Sequence, residues 1–335
     1  MQNHKNMETQ KDVKRIAIFT SGGDAPGMNA AIRAVVRTAT YNDLHVYGIY
    51  RGYDGMIKGD IHRIESNDVA NIMHRGGTML KTARSAEFMR PEGRRLAYES
   101  LLANDIDACI AIGGNGTFTG AKVFSDEYDI PFVGVPGTID NDLFGTDYTI
   151  GFDTSVNTAM RAVDKIRDTA DSHNRLFFVE VMGRNSGYIA LNTGIAAGSS
   201  AVLVPESDAS VDDLIQMLRK GARRNKLFSI VIVAEGNKFG GAIDVAKAVQ
   251  EKFDFYDTKV AIIGHLQRGG SPTCFDRVLA SRLGHAAVEA LLKGKRNVMI
   301  GQLNNDISYT DFDDAINKPK SINSDLLELA EVLAL

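Results

Sequence analysis

Two carboxylates and a hydroxyl lie close together in residues 136–142, which read Pro-Gly-Thr-Ile-Asp-Asn-Asp. This segment follows an apolar run that is typical of a buried strand. A carboxylate at the carboxyl end of a strand can accept a proton from a substrate hydroxyl, and Asp140 is the candidate for that role. Asp142, two residues later, could bind magnesium or orient the neighbouring group. Taken alone, the segment is equally typical of a polar turn.

Two glycine-rich segments each follow a predicted strand and precede a predicted helix. They are residues 20–29 and 113–117. Glycine lets backbone N–H groups approach an anion, and the dipole of the following helix adds attraction. Neither segment has the Gly-Lys-Ser/Thr of a P-loop, and neither properly fits the dinucleotide pattern, so a Rossmann dehydrogenase is a weak alternative. Two such turns beside an acidic turn favour a polyphosphate site.

Basic side chains follow two further predicted strands. Arg184 lies in Met-Gly-Arg-Asn-Ser-Gly, and His265 and Arg268 lie in Gly-His-Leu-Gln-Arg-Gly-Gly. Guanidinium groups bind phosphate oxygens in a bidentate geometry, so two converging arginines indicate a phosphorylated substrate. Spacing alone leaves the role of Arg84 open, and a lone His265 is more typical of a structural histidine.

Short apolar runs alternate with helix-length segments over most of the chain. This alternation predicts mostly parallel sheets that are covered by helices, with ligands bound at the carboxyl ends of the strands. The predicted strands are residues 15–20, 45–50, 107–112, 130–135, 176–181, 201–204, 229–234 and 259–264. The predicted helices include residues 28–41, 154–173, 211–224 and 242–253.

Length and composition indicate a two-domain globular enzyme. The chain has 335 residues, of which 44% are hydrophobic and 24% are charged. A net charge of −4 gives no reason to expect nucleic acid or an anionic membrane as a partner. No apolar run approaches the ~18 residues of a membrane span, and the polar start is not a secretory signal. The two cysteines have no metal or redox spacing, which predicts a cytoplasmic protein.

Several of these segments together resemble the signature blocks of bacterial-type ATP-dependent 6-phosphofructokinases. They are residues 20–29, 76–84, 113–117, 136–152, 180–187 and 264–282, and the likeness is collinear over about residues 14–315. The resemblance implies an α/β fold of two doubly wound, mostly parallel-sheet domains with the active site in the interdomain cleft. The ATP-binding domain is expected at residues 14–150 plus about 266–313. The fructose 6-phosphate-binding domain is expected at residues 151–265 plus about 314–335, and residues 1–13 are expected to be a disordered tail.

The resemblance implies phosphoryl transfer from MgATP to the 1-hydroxyl of D-fructose 6-phosphate, a step of glycolysis. Asp140 is then the general base, while Thr138 and Asp142 hold the reacting hydroxyl and the metal environment. Gly23 would offer its backbone N–H to the transferring phosphoryl group. The implied catalytic residues are Asp140, Thr138, Asp142, Arg84, Arg184 and Gly23.

The same resemblance assigns the contacts to sugar and nucleotide. Two of the substrate-binding residues, Arg175 and Lys259, would come from a neighbouring subunit. The implied substrate-binding residues are Thr138, Asp140, Asp142, Arg175, Met182, Gly183, Arg184, Glu235, Lys259, His265 and Arg268. The implied nucleotide-binding residues are Gly23, Tyr53, Arg84, Ser85, Gly114, Asn115, Gly116, Thr117 and Gly120, with Tyr53 on the adenine side.

Two glycines indicate the phosphoryl donor. Pyrophosphate-using relatives of this family carry Asp at the position of Gly116 and Lys at the position of Gly137, where these side chains would crowd the α-phosphate of ATP. Both positions are glycine here, so ATP is the expected donor. A pyrophosphate-dependent enzyme is one alternative, and a weakly catalytic regulatory paralogue is another.

Two departures from the family pattern concern metal and sugar phosphate. Asn115 stands where the family usually has a magnesium-associated Asp, so the metal site at Asn115 and Asp142 loses one negative charge. We therefore expect a higher magnesium requirement. Lys259 stands where the family commonly has Arg, and its point charge predicts a looser hold on the sugar phosphate.

The resemblance also implies an intersubunit effector site for ADP or phosphoenolpyruvate in a homotetramer. Arg33 and Arg37 lie four residues apart on a predicted helix and share a face, which alone is typical of a solvated surface. The implied effector residues are Arg33, Arg37, Arg167, Gly198, Arg224 and Lys226. Ser200, Leu227 and Phe228 depart from the family pattern, so the identity and the sign of the effector stay open.

Overall fold

The strands of the chain form two sheets, one of seven strands and one of four. The computed structural model describes residues 13–173, 175–224 and 228–334. The predicted tail therefore lies outside the described residues except for Val13, as do Lys226 and Leu227 of the predicted effector site. Within the described residues, no helix is long and apolar enough to cross a membrane.

The larger sheet has the strand order β11-β10-β5-β4-β1-β2-β3. Its pairs are parallel except for β2–β3 and β10–β11. Its strands are β1 (Arg15–Thr20), β2 (His45–Ile49), β3 (Ile61–Ile64), β4 (Ala108–Gly113), β5 (Phe132–Pro136), β10 (Val298–Leu303) and β11 (Asp306–Asp311). Every residue of β4 and β5 is buried, as expected for parallel strands that are covered on both faces.

The smaller sheet has the order β7-β8-β6-β9, and all of its pairs are parallel. Its strands are β6 (Arg175–Val181), β7 (Ala201–Leu203), β8 (Ser229–Ala234) and β9 (Asp257–Ile262). The two sheets and their helices confirm the predicted mostly parallel α/β fold. The eight predicted strands are present, with bounds shifted by at most two residues.

Eleven α-helices are found in the part of the chain that the structure describes. They are α1 (Met28–Tyr41), α2 (Gly52–Lys58), α3 (Pro91–Ala103), α4 (Asn115–Tyr128), α5 (Phe152–Asp171), α6 (Tyr188–Ala196), α7 (Val211–Arg223), α8 (Ala242–Gln250), α9 (Cys274–Leu292), α10 (Phe312–Asn317) and α11 (Ser324–Leu333). A short 3₁₀ helix, Gly264–Arg268, precedes α9. Helix α7 begins with a capping box in which Ser210 and Asp213 bind each other's backbone N–H groups.

Asp276 joins the first turns of α5 and α9, where the chain passes between the two sheets. Its carboxylate accepts hydrogen bonds from the backbone N–H of Gly151 (2.9 Å) and from that of Thr154 (2.8 Å). Thr273 caps α9 and donates its hydroxyl to Asp153 of α5 at 2.6 Å. Each helix therefore binds the first turn of the other, which fixes the α5 and α9 connections together.

The carboxyl-terminal part of the chain contacts both sheets. Phe312 and Ala315 of α10 are buried in the core of the larger sheet. Helix α11 packs instead on α6 and β7 of the smaller sheet unit. The chain therefore passes from one sheet unit to the other in residues 318–323, which we call the crossing segment.

Candidate active site

The loops that follow β1, β4 and β5 lie side by side because these three strands are neighbours in the larger sheet. The connection after β1 runs toward β2, whereas β4 lies on the other side of β1, so the direction of winding reverses between β1 and β4. Ligands of open α/β sheets bind at such reversal points. A cavity of about 730 Å³ opens here.

The cavity is lined by every predicted catalytic and nucleotide-binding residue. It is also lined by Arg268 and by Gly137. The lining residues from these predicted sets are Gly23, Tyr53, Arg84, Ser85, Gly114, Asn115, Gly116, Thr117, Gly120, Thr138, Asp140, Asp142 and Arg184. Residues that are far apart in sequence, from Gly23 to Arg268, thus meet in one cleft.

The acidic turn is held by a network of short hydrogen bonds. Asn141, which has a left-handed backbone (φ 53°), donates from Nδ2 to the carbonyl oxygen of Asp147 at 3.1 Å. Its Oδ1 accepts from the backbone N–H of Thr149 at 2.9 Å. The Thr149 hydroxyl donates to the carbonyl oxygen of Thr138 at 2.6 Å. Because these bonds fix the backbone on both sides of Asn141, the flanking carboxylates have defined positions.

Asp140 has one carboxylate oxygen near a cation and one without a partner. Its Oδ2 lies 3.6 Å from Nε of Arg184, whereas its Oδ1 is buried and finds no hydrogen-bond partner among the described residues. Burial, reinforced by the charge of Asp142, raises the pKa of Asp140 to about 6, although Arg268 and Arg184 oppose the shift. A buried carboxylate with a free lone pair beside a cavity is suited to accept a proton.

Asn115 and Asp142 meet across the cavity. Asn115 Nδ2 donates to Asp142 Oδ2 at 3.0 Å, and the buried Oδ1 of Asn115 is unpaired within the described ranges. That part of the chain contains no group of three or more His, Cys, Asp or Glu side chains that could hold a metal. Magnesium commonly binds one or two protein oxygens together with substrate phosphates. The free amide oxygen and the Asp142 carboxylate fit that pattern.

Backbone groups and the start of a helix form the side of the cavity that is predicted to bind nucleotide. Helix α4 begins at Asn115, so its unpaired N–H groups lie at the cavity. A Cβ added to Gly116 would meet nothing within 4 Å, whereas one added to Gly137 would lie 2.9 Å from Cγ2 of Ile112. A side chain at position 116 therefore has open space, and one at position 137 would begin against the core.

Tyr53 forms one wall of this side. Its hydroxyl donates to the carbonyl oxygen of Thr117 at 2.6 Å, and its ring stacks on Phe88 with centroids 3.9 Å apart. A Cβ at Gly120 would lie 2.9 Å from Cε2 of Tyr53, so only glycine permits this approach. The tyrosine is fixed as an apolar wall beside the glycine loops.

Glu235 holds the turn that presents Arg184. Arg184 has a left-handed backbone (φ 52°), and its N–H donates to Glu235 Oε1 at 2.7 Å. The N–H of Gly183 donates to the same oxygen at 3.2 Å. The N–H of Met182 donates to Gln267 Oε1 at 2.9 Å. Met182, Gly183 and Glu235 thus adjoin the cavity through Arg184 without lining it.

The predicted sugar-phosphate residues occupy different places. Arg268 donates to the carbonyl oxygen of Asp24 at 3.1 Å, and its guanidinium lies against Gly23. His265 is exposed on the 3₁₀ helix and does not line the cavity. Arg175 and Lys259 also lie outside it, and both pair with Asp257, at 3.2 Å and 2.7 Å. Within one chain, the structure does not bring these three residues to the cavity.

The predicted effector residues fall on both sheet units. Arg167 of α5 donates to the carbonyl oxygens of Ala197 and Gly198, and its guanidinium lies 5.9 Å from the centroid of the Phe228 ring. Arg33 and Arg37 lie on α1. In the described part of the chain, no hydrogen bond or ion pair joins these two arginines to Arg167 or Gly198. Arg224, at the end of α7, is exposed.

Lys320 is a residue that the sequence patterns miss. It lies in a polar segment without periodicity, yet its ammonium donates to the carbonyl oxygen of Asp147 at 2.9 Å. Burial lowers the pKa of Lys320 to about 8, although the charges of Asp147 and Asp142 oppose the shift. Gln267 is a second such residue, since it links Met182 to Ser155 of α5. A glutamine or lysine in a loop carries no sequence signal of this kind.

Two mostly parallel α/β sheet units, with glycine-rich loops and an acid–arginine pair in the cleft between them, are the arrangement expected of a phosphotransferase. A family model described as Phosphofructokinase matches residues 15–291, and the chain belongs to this family. It is 55% identical over 323 residues to "ATP-dependent 6-phosphofructokinase 2" of Bacteroides thetaiotaomicron, covering 96% of this chain and 99% of the relative. It is 54% identical to "ATP-dependent 6-phosphofructokinase 1" of Thermus thermophilus, covering 96% and 100%.

A solved structure of phosphofructokinase from Saccharomyces cerevisiae has the same fold. The TM-score is 0.87 at 37% sequence identity, over 96% of this chain. This chain spans 48% of the length of the yeast chain. The likeness thus covers both sheet units of this protein and about half of its larger relative.

Proposed function

We propose that this chain is an ATP-dependent 6-phosphofructokinase, which converts ATP and D-fructose 6-phosphate into ADP and fructose 1,6-bisphosphate. One observation carries the proposal: the half-paired carboxylate of Asp140 faces a cavity whose other walls are two glycine-rich loops and Arg84. The names and high identity of its full-length relatives support the same donor and acceptor.

In this mechanism Asp140 accepts the proton of the 1-hydroxyl as its oxygen attacks the γ-phosphorus of ATP. Its carboxylate has the capacity to accept, because Oδ2 faces Arg184 and Oδ1 has no partner among the described residues. Burial of Asp140 favours proton uptake, and the nearby arginines keep enough of it ionised at neutral pH. Thr138 orients the attacking hydroxyl from the same turn.

Charge on the transferring phosphoryl group is met by groups that are already in place. Arg84 and Arg184 line the cavity, and the backbone N–H of Gly23 and the first turn of α4 add further donors. Such fixed donors stabilise the transition state without reorganisation. Since phosphoryl transfer needs little covalent chemistry from the protein, this positioning supplies most of the rate.

Magnesium would be held by Asp142 and by the amide oxygen of Asn115, with ATP phosphates as further ligands. When bound, it neutralises charge on the phosphate oxygens. Asp142 would carry the only charge of this pair, because Asn115 is neutral. Asn115 also donates to Asp142, which keeps that carboxylate turned toward the cavity.

ATP is preferred over pyrophosphate because position 116 leaves room for the nucleotide. Gly116 has open space around it, so a carboxylate there would enter the space of the ATP phosphates. Tyr53 and Gly120 would bound the adenine. The open space beside the start of α4 therefore favours ATP over pyrophosphate as the donor.

We propose a cytoplasmic homotetramer in which Arg175, Lys259 and His265 complete the sugar-phosphate site. Strand β9 lies at one end of the smaller sheet and exposes Val260 and Ile262 there. An end strand with exposed apolar side chains is suited to contact a second copy. Arg33, Arg37, Arg167, Gly198, Arg224 and Lys226 would bind ADP or phosphoenolpyruvate at a further subunit boundary.

The test is a matrix of initial rates with two donors, ATP and pyrophosphate, over a magnesium series. ADP formation that requires fructose 6-phosphate, with little turnover from pyrophosphate, is the expected result. Faster turnover with pyrophosphate would contradict the donor assignment. Binding of nucleotide and sugar phosphate without turnover would instead indicate a regulatory protein.

A further inference from the structure

The crossing segment, residues 318–323, runs beside the cleft between the two sheet units. Its amino-terminal side continues from α10, whose Phe312 and Ala315 are buried in the core of the larger sheet. Its carboxyl-terminal side leads into α11, which packs on α6 and β7. The segment therefore connects the two walls of the cleft independently of the α5 and α9 connections.

On one wall, Lys320 binds the acidic turn. Its Nζ donates to the carbonyl oxygen of Asp147 at 2.9 Å, and the same oxygen accepts from Nδ2 of Asn141 at 3.1 Å. Asn141 lies directly between Asp140 and Asp142. Lys320 and Asn141 therefore bind the same carbonyl oxygen, and Asn141 sets the direction of both carboxylates.

On the other wall, the same segment binds the start of α6. The ammonium of Lys320 lies 5.0 Å from the ring centroid of Tyr188, within cation–π range. The Tyr188 hydroxyl donates to the carbonyl oxygen of Ser321 at 2.7 Å. Tyr188 is the first residue of α6 and follows the turn that carries Arg184.

The two walls also meet directly beside these contacts. The hydroxyl of Ser186, which precedes α6, donates to the carbonyl oxygen of Asp140 at 2.9 Å. The ion pair between Arg184 and Asp140 and the α5–α9 junction connect the two units as well. Lys320 and Tyr188 add a connection through the crossing segment, which further restricts the relative motion of the two walls.

The position of Lys320 reduces the stability of the folded protein, which a role in coupling the two walls would explain. A partly desolvated ammonium loses hydration, and its hydrogen-bond partner here is a carbonyl oxygen rather than a carboxylate. Lys293, which follows α9, is exposed and pairs with Glu289 at 3.4 Å, as a surface lysine ordinarily does. Solubility or surface charge accounts for Lys293 and does not account for Lys320.

We propose that Lys320 is a positioning residue that couples the acidic turn to the first turn of α6, and thereby fixes the spacing of Asp140 and Arg184. It acts through Asp147 and Tyr188 and does not contact the substrates. The inference rests on the proposed phosphotransferase function, since Asp140 and Arg184 take their roles from it. Loss of this coupling misplaces the base relative to the phosphoryl-binding arginine.

The expected signature is a lower kcat without a matching loss of ATP binding. Lys320→Met keeps most of the stem and removes the ammonium, so kcat should fall about 10- to 100-fold, as small misplacements do. The KM for ATP should stay within about twofold, because the glycine loops do not contact Lys320. Lys320→Arg keeps a cation and a donor, and should recover a substantial part of kcat.

Lys293→Met is the matched control, since it removes the same charge from an exposed lysine that pairs with Glu289, and it should keep kcat within about twofold. Tyr188→Phe keeps the ring but deletes the hydrogen bond to Ser321, and should lower kcat less than Lys320→Met does. Wild-type kcat in Lys320→Met would overturn the proposal. Equal losses in the two Met variants would also overturn it. If Lys320→Met does not fold, Tyr188→Phe provides the test of the coupling. A wild-type kcat in Tyr188→Phe would then contradict the coupling.

Hydrogen–deuterium exchange separates failure of this inference from failure of the proposed function. Lys320→Met should accelerate amide exchange both in residues 141–149 and in residues 187–192, whereas Lys293→Met should change neither. This pattern is expected whether or not the wild-type protein turns over fructose 6-phosphate. Absent turnover would contradict the proposed function, and faster exchange in only one of the two regions would contradict the coupling.

Discussion

At the scale of single residues, the two oxygens of Asp140 have different surroundings. Oδ2 faces Arg184 at 3.6 Å, and Oδ1 is buried without a partner among the described residues. A structural carboxylate would normally have both oxygens satisfied. Retaining an unsatisfied one reduces stability, so its retention indicates a chemical role.

Asp140→Asn therefore separates activity from stability. The amide cannot accept the proton, so kcat should fall on the order of 10³-fold. The melting temperature should stay equal or rise, because a buried charge is removed. Asp164→Asn on the exposed side of α5 serves as control and should change neither quantity. A substantial residual rate in Asp140→Asn would show that another group accepts the proton.

In the proposed metal site, Asn115 carries an amide where the family pattern has a carboxylate. Asn115→Asp would place a second carboxylate near Asp142, where the hydrogen bond at 3.0 Å is now made. Two carboxylates repel each other until a cation binds, so Mg²⁺ affinity should rise on the order of tenfold. Calorimetric titration of Mg²⁺ with a non-hydrolysable ATP analogue bound checks this directly.

The control for this titration is Asn115→Ala, which should bind Mg²⁺ more weakly than the wild-type protein. It loses both the free oxygen and the bond that orients Asp142. Equal affinities for the Asp, Asn and Ala forms would mean that position 115 does not contact the metal. Magnesium would then be held by Asp142 and ATP alone.

At the scale of elements, the sequence patterns predict the parallel strands well and the hairpin poorly. Buried parallel strands are continuous apolar runs, so β4, β5 and β8 are recognisable without a structure. A turn of two residues, Asn304 and Asn305, connects the antiparallel strands β10 and β11. Both residues have positive φ, as a type I′ hairpin turn requires. That Asn-Asn turn is the local signal for the missed hairpin.

Sequence patterns likewise predict some residues of the candidate site and miss others. Residues that belong to one loop, such as Thr138, Asp140 and Asp142, are predictable because spacing in sequence fixes their spacing in space. Lys320 is not, since its role depends on how the crossing segment lies between two units that are far apart in sequence. Long-range geometry of this kind leaves no periodicity or composition bias.

Substitution of Asp276 tests how much the junction between α5 and α9 stabilises the protein. Asp276→Ala would leave the N–H of Gly151 and the N–H and hydroxyl of Thr154 without their acceptor. Loss of a helix cap and of buried hydrogen bonds together should lower the free energy of unfolding by about 2–4 kcal/mol. Urea unfolding of the purified protein measures the change, with Asp164→Ala on the exposed side of α5 as control.

The crossing segment makes a second connection, so the same variant should not abolish activity. Once folded, Asp276→Ala should retain a large part of kcat, because Lys320 and Tyr188 still connect the walls. A folded variant without activity would assign the control of cleft spacing to the α5–α9 junction. An unchanged unfolding midpoint would show that water satisfies the three exposed donors.

At the scale of the whole molecule, the proposed sugar-phosphate site is incomplete within one chain. Arg175 and Lys259 are cations outside the cavity, and both are paired with Asp257. They lie beside the exposed apolar side chains of β9, so a second copy that docks there would receive them at its own cleft. The assembly and the substrate affinity should therefore change together.

Ile262→Asp tests this link, because Ile262 is 54% exposed in the single chain and lies on β9. A carboxylate on this strand should disfavour the contact by several kcal/mol when it is desolvated, which shifts the protein toward smaller species. Sedimentation velocity should detect that shift, and the KM for fructose 6-phosphate should rise at least tenfold. The dissociation constant of ATP should stay unchanged, since its predicted ligands lie within one chain. Leu102→Asp, at a similarly exposed position on α3, is the control and should leave both properties as in the wild type. A smaller species that keeps its affinity for fructose 6-phosphate would mean that the site is complete within one subunit and that Arg175 and Lys259 do not reach a neighbouring cleft.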